Sequence, residues 1–252
     1  MVLLFCSLLL LAFPQATAAP ESSRVWEGRE AAFEEFLRTA PVVRIEDVPI
    51  GVTKPRRAYL APGGLCESFA WKVLPPGIHK GYWDSYKSEI AAYELDKVLG
   101  LGMVPPTVER EVNSSKGAAV VWVTNVRTWE EALRSPKAPS WTRNVVRMKM
   151  WDNLVGNSDR NKGNILVDYT GNFFFIDHSR AFTTEKKLYQ ELENIDMELW
   201  QRILALDAET VKARIGTWIG KNETKAIFQR RDRMQKQIDA ILAKRGEAAI
   251  LK

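Results

Sequence analysis

The stretch Gly156-Asn-Ser-Asp159-Arg160-Asn-Lys-Gly-Asn164, followed by Phe-Phe-Phe-Ile-Asp177, constrains this chain more than any other. Asn, Ser, Asp and Gly are turn formers, so the first segment reads as a loop. It follows a helical pattern over Trp141–Leu154. It precedes two β-like runs, Ile165–Asp168 and Phe173–Asp177, joined by Tyr-Thr-Gly-Asn as a hairpin. Four apolar residues then deliver the Asp177 carboxylate to the end of a buried strand. A helix–loop–hairpin unit of this kind holds two acids and an amide, Asn164, close together in sequence.

The flanking segments differ in character. Glu21–Arg38 reads as a charged helix anchored by Trp26, Phe33 and Phe36, and Pro41 ends it. Short β-like runs follow at Val42–Ile45, Arg57–Leu60 and Ser68–Leu74, the last closed by Pro75-Pro76-Gly77. A helix is predicted from Ser85 to Leu99, stopped by Gly100, Gly102 and Pro105-Pro106, with a strand at Ala118–Thr124. Beyond Arg127 the pattern is mainly helical, with further helices near Asp196–Leu206, Glu209–Ile219 and Glu223–Lys244. The expected class is α+β with two lobes. A small β-rich lobe spans 41–125 and a helical lobe 126–252, preceded by an N-terminal helix within 19–40.

Composition sets few limits beyond a globular chain: 252 residues, 46% hydrophobic, with a formal charge of +5. That charge is too diffuse to indicate nucleic acid. Its densest cluster, Arg230-Arg231-Asp232-Arg233, reads as a solvated helix face. Residues 1–18 stand apart. The apolar run Val2–Phe13 is too short to span a bilayer, Pro14 breaks it, and Ala16-Thr17-Ala18 offers a cleavage site. This segment reads as a signal peptide, so the mature chain is expected to be exported and to have no stable membrane span. Cys66 would then be its only cysteine, which excludes an intramolecular disulfide.

Two further residues complete a polar set. Lys72 shares a strand face with Ala70 and Leu74, where an ammonium needs an anionic partner. Glu89 lies at the start of the next helix, on a face with Ala92 and Tyr93. A Lys–Glu pair across strand and helix can hold the lysine against nucleotide phosphates. An Asp and Asn five residues apart, with a second Asp closing a strand, can orient a hydroxyl and hold Mg²⁺. His178 reads first as a packed or hydrogen-bonded histidine, ahead of a ligand or a second base.

These residues carry a family resemblance. Ser88-Glu-Ile-Ala-Ala-Tyr-Glu-Leu-Asp-Lys-Val-Leu-Gly, then Val104-Pro-Pro-Thr-Val, resembles a helix and strand of secretory-pathway Golgi kinases. The loop at 156–164 and Phe-Ile-Asp-His-Ser-Arg-Ala-Phe resemble phosphatidylinositol 3-/4-kinases and HipA-type kinases. The resemblance covers about Ile50 to Phe182. It implies a two-lobed atypical kinase fold with ATP and Mg²⁺ or Mn²⁺ between the lobes, and a protein or small-molecule hydroxyl as acceptor. By position, Lys72 binds phosphates and Glu89 braces it. Asp159 is the catalytic acid/base, Asn164 and Asp177 are metal ligands, and Arg160 neutralises developing charge or anchors the loop.

The chain lacks a G-x-G-x-x-G loop. Gly51-Val-Thr53-Lys54-Pro or the Gly63-Gly64 turn is the candidate cover for the phosphates, the first preferred with Thr53 and Lys54 as nucleotide contacts. Asp-Phe-Gly is replaced by Asp-His-Ser, and the paired cysteines of the secretory kinases are absent. Two alternatives keep the same residues: a pseudokinase scaffold, and an enzyme that transfers AMP.

Overall fold

The computed structural model describes residues 22–49 and 55–251. The signal-peptide segment and the nucleotide contacts expected at Thr53 and Lys54 lie outside the described residues.

The first half is organised by a five-stranded antiparallel sheet in the order β1-β2-β3-β7-β6. Its strands are β1 (Val42–Asp47), β2 (Arg56–Leu60), β3 (Ser68–Lys72), β6 (Thr107–Val112) and β7 (Ser115–Val121). Strand alternation sends Phe69 and Trp71 to one face and Ala70 and Lys72 to the other. Helix α1 (Glu30–Thr39) covers the first face, burying Phe33 and Leu37 with Trp26 against Phe69, Trp71 and Val121. It begins nine residues later than expected because residues 25–28 form a turn that ends at Gly28, φ 73°.

Helix α2 (Tyr86–Leu99) lies on the second face, where Tyr86 and Ile90 pack on Ala118 and Val120. The Ser85 hydroxyl caps its start by accepting from Lys87 N–H, and Gly100, in the left-handed region at φ 56°, ends it. Near that end the Asp96 carboxylate is buried and accepts the backbone N–H groups of Gly102, Met103 and Val104 at 2.9, 2.9 and 3.0 Å. Asp96 thereby ties the helix to the turn that leads into β6.

A hairpin absent from the sequence expectations sits between β3 and α2: β4 (Gly77–His79) with β5 (Tyr82–Asp84). Its three-residue strands are too short to show a period beside Pro75-Pro76.

In the second half, β8 (Val126–Thr128), β9 (Ile165–Asp168) and β10 (Phe173–Phe175) form a small sheet in the order β10-β9-β8. Helix α3 (Trp129–Leu133) starts from a Thr128–Glu131 capping box, and α4 (Trp141–Val155) leads toward β9. Then follow α5 (Met197–Leu204), α6 (Ala208–Ile215) and α7 (Lys221–Arg245). Phe173 and Phe175 enter the core shared by α2, α4 and α7, while Phe174 points the other way, 5.6 Å from Trp26. The hairpin therefore stitches both cores together. No helix among the described residues is long and apolar enough to cross a membrane.

Arg230 departs from the solvated face expected for it. The side chain is fully buried and donates to the carbonyls of Leu154, Thr183 and Glu185. One carbonyl at the end of α4 and two from the loop at 183–185 accept from the guanidinium with no acid among the partners, and that signal does not exist in local charge pattern.

Asp96→Ala leaves two buried N–H groups and one half-buried N–H without an acceptor, and we expect it to lower stability by about 2–4 kcal/mol. Urea unfolding of the two chains measures this. A loss below about 0.5 kcal/mol, typical of an inconsequential surface change, would mean the turn does not depend on that carboxylate.

Candidate active site

Lys72, at the end of β3, projects from the sheet face that carries α2. Its Nζ lies 2.6 Å from Glu89 Oε1 and 2.9 Å from Asp177 Oδ1. Glu89, in the first turn of α2, is 2% exposed, and its Oε2 accepts the His178 N–H at 3.0 Å. One glutamate thus joins the lysine to the backbone just after Asp177. Burial disfavours the Lys72 ammonium, but the Asp177 and Glu89 carboxylates outweigh it and hold the pKa above the ordinary lysine value. Burial raises the Glu89 pKa, and the neighbouring Asp177 charge pushes the same way against the pull of Lys72. Asp177 moves oppositely: burial is overcome by Lys72 and the Ser179 hydroxyl, so the carboxyl sits below its usual range. Asp177 also adopts φ 59°, an uncommon conformation for a residue other than glycine, at a cost of order 1–3 kcal/mol.

The loop is set by the end of α4. Gly156 stops that helix at φ 65°, and a Cβ there would lie 2.6 Å from the Arg230 guanidinium carbon, so glycine is required twice over. Asn157 next donates to Asp152 and accepts from the Asp159 N–H. The Asp159 side chain emerges 41% exposed, with Oδ2 accepting from Arg180 Nη1 at 3.1 Å. Asn164 ends a 3-10 turn (Lys162–Asn164), and its Nδ2 donates to the Asp159 carbonyl at 3.0 Å.

Arg160 turns away from solvent. Its side chain is 2% exposed, and every donor is used within the protein. Nε and Nη2 grip Asp152, Nη1 reaches the carbonyls of Asn164 and Ile176, and Nη2 also reaches His178 Nε2. Of the two roles expected for Arg160, this geometry favours loop anchoring. Burial, then the Arg160 and Lys72 charges, keeps the His178 pKa well below the usual histidine value. Its ring is neutral, with Nε2 accepting from Trp151 Nε1. His178 is a packing residue, as its sequence setting suggested.

The Gly63-Gly64 turn is excluded as a phosphate cover. It joins β2 to β3 at the end opposite Lys72, and a Cβ on Gly64 would lie 2.1 Å from the Phe36 ring. Its glycine serves the approach of α1.

The residues present fit a hard divalent cation. Among the described residues, no group donates to Asn164 Oδ1 or Asp177 Oδ2, which leaves one neutral and one anionic oxygen free. No cluster of three or more His, Cys, Asp or Glu side chains that could hold a metal occurs among them. An amide and a single carboxylate would need phosphate and water oxygens to complete a coordination shell, as is usual for Mg²⁺.

This fold and this polar set define a phosphotransferase of the kinase type. The sequence model of phosphatidylinositol 3- and 4-kinases matches residues 66–213, and the chain belongs to that family. Among curated proteins no sequence matches significantly. Among solved structures the chain is similar to the Golgi casein kinase with Mn and ADP bound, at TM-score 0.69 and 14% identity over 89% of this chain and 79% of that one. It is also similar to hydra Fam20 with sugar, at TM-score 0.68 and 15% identity over 86% and 90%. The Helicobacter pylori proinflammatory kinase CtkA aligns at TM-score 0.51 and 12% identity, over 86% and 98%. At these identities the likeness is one of fold.

Sequence reasoning missed the partners of Asp159. Arg180 bridges from Asp159 to the buried Asp84 of β5, with Nε 3.1 Å from Asp84 Oδ1 and the Tyr82 ring against its guanidinium. Ser179 Oγ spans Asp84 and Asp177. Only the Ser-Arg following Asp177-His178 hinted at this, and the hairpin that supplies Asp84 was invisible.

Removing Arg160 strands the fully buried Asp152 carboxylate. Arg160→Met is expected to cost about 3–5 kcal/mol, with part recovered in the Arg160→Met/Asp152→Leu double variant. Chemical denaturation of all three chains checks this. Equal stability of single variant and parent would show that the loop is held by other contacts.

Proposed function

We propose that this chain transfers the γ-phosphoryl group of ATP to a hydroxyl, with Asp159 as acid/base and a divalent cation held by Asn164 and Asp177. The observation that carries this reading is the Lys72–Glu89–Asp177 cluster. It fixes a charged ammonium beside a carboxylate with one oxygen free, and Ser179, Asp84 and Arg180 link that carboxylate to the exposed Asp159. Lys72, braced by Glu89, neutralises phosphate oxygens. Asp159 accepts the hydroxyl proton or aligns the hydroxyl, and Arg180 keeps one of its oxygens occupied so that the other faces the acceptor. Arg160 acts at a distance, as a positioning residue for the segments that bear Asp159, Asn164 and Asp177. The cation, when bound, would offset charge on the β- and γ-phosphates.

Among acceptors we rank a protein Ser or Thr first, then a sugar or other small molecule, then an inositol lipid. A likeness to a casein kinase favours a protein hydroxyl, while the family's name favours the lipid. The apolar run and small-residue site within residues 1–18 support export, in keeping with Golgi relatives of the same fold.

Asp159→Asn is nearly isosteric. It is expected to keep the fold and nucleotide affinity while turnover falls by about 10² to 10⁴. Asp177→Asn is expected to lose metal-dependent nucleotide binding. For the parent, saturation at about a hundred times Kd stabilises the native state by about 2.7 kcal/mol, read as a thermal shift with ATP and Mg²⁺ or Mn²⁺. Intact-mass analysis of modified acceptors separates phosphoryl from AMP transfer. Full activity in Asp159→Asn would sink the mechanism, and no shift with any nucleotide would favour a scaffold.

A further inference from the structure

The sheet face that carries Lys72 continues away from it into a second charged cluster. Cross-strand register places Lys72 opposite Ala118, Arg57 opposite Ala70 and Ala70 opposite Val120, and Tyr59 opposite Ser68. Trp122, whose N–H donates to the Ser68 carbonyl, extends this last row. Alternation keeps Lys72, Ala70, Ser68, Arg57, Tyr59 and Trp122 on one face. From Lys72 to Ser68 is four strand residues, or about 13 Å, a span comparable to a nucleotide from phosphates to base. The β1–β2 connection leaves the sheet at the Lys72 end, since Asp47 pairs with Arg56 and Arg56 with Trp71. The row of Ser68 is therefore the opposite end of the cleft face.

Four side chains stack at that end. The Arg57 guanidinium carbon lies 4.4 Å from the Trp122 ring centroid and 4.7 Å from that of Tyr59, and Arg44 lies 3.8 Å from Tyr59. Arg57 Nε donates to Ser68 Oγ at 2.9 Å, which fixes the plane of the guanidinium. Among the described residues Arg57 has no acidic partner, and its Nη groups donate to no protein acceptor. A cation half-buried between aromatic rings, oriented by a serine and carrying an unused fork of donors, is arranged to read an acceptor pair. Its place at the far end of the Lys72 face makes that acceptor a nucleobase edge.

We propose that Arg57, with Trp122 and Tyr59, is the base-reading wall of the nucleotide site and admits a 6-oxopurine, so that GTP is used alongside ATP. This rests on the reading of the Lys72 face as the nucleotide cleft. Guanine presents O6 and N7 as adjacent acceptors that match the fork of an arginine, whereas adenine presents N7 beside an N6 donor. The aromatic rings supply apolar surface for either purine.

The test uses the full chain and titrates Mn²⁺ complexes of three probes: the β,γ-imido analogues of ATP and GTP, and inorganic tripolyphosphate. We expect the parent to bind the guanine analogue within about tenfold of the adenine analogue. Arg57→Met is expected to weaken the guanine analogue by about tenfold or more, the adenine analogue by less, and tripolyphosphate not at all. Arg57→Lys, which keeps the charge but loses the fork, is expected to behave like Arg57→Met. Equal weakening of tripolyphosphate would make Arg57 a phosphate or structural residue and overturn the proposal. Unchanged guanine binding in Arg57→Met would overturn it as well. If the parent binds tripolyphosphate but neither nucleotide, the base wall is wrong while the phosphate site stands. Failure of all three probes would instead refute the nucleotide site itself.

Discussion

Everything else in the site depends on the pairing of one ammonium with two carboxylates. Lys72, Glu89 and Asp177 come from β3, the first turn of α2 and the end of the β9–β10 hairpin, so the cluster joins elements from both halves of the chain. A buried pair of like charges is unfavourable, and Lys72 makes the two acids tolerable at this spacing. The two carboxyls share the task unequally: Glu89 is pushed toward its neutral form by burial while Asp177 is held ionised. Both Glu89 oxygens are already engaged, by Lys72 and by the His178 N–H, whereas Asp177 keeps one oxygen with no donor among the described residues.

A second lock carries this order into the loop. Arg160 satisfies Asp152 on α4 and, with its remaining donors, the carbonyls that flank Asn164 and Asp177. Any arrangement that separates Arg160 from Asp152 would leave a buried charge unpaired, which opposes rearrangement of the loop. The loop therefore needs no regular structure to hold its shape. Among the charged groups of the candidate site, Asp159 is the most exposed, at 41%.

The features legible in sequence were those that rest on local rules. Lys72, Glu89, Asp159, Asn164 and Asp177 were found through strand alternation, a helix start, a turn-rich loop and a capped apolar strand, and the fold brings their segments together. Helix α2 ends at Leu99, just before the expected stop at Gly100, and α4 ends one residue past the expected Leu154. What stayed hidden depends on long-range contact. Asp84 lies on three-residue strands with no period to read, Arg180 gains meaning only from Asp84 and Asp159, and Arg230 is buried by carbonyls that no local charge pattern reveals. Asp152 carries no local signal of its role, which comes only from Arg160, eight residues on.

The hairpin β4–β5 shows how such hidden contacts bear on chemistry. Asp84 is buried and holds both Ser179 and Arg180, which in turn touch Asp177 and Asp159. The two acids expected to do the work are thus linked through one carboxylate that approaches neither. Because each link is a hydrogen bond with a charged partner, displacement of Asp84 would free Arg180 to swing and leave the exposed Asp159 without its fixed orientation. Ile78, Tyr82 and Trp83, all exposed, cap the same hairpin. The exposed side of this hairpin and the buried Asp84 carboxylate therefore belong to one short element, so any displacement of the hairpin is felt at Arg180 and Asp159.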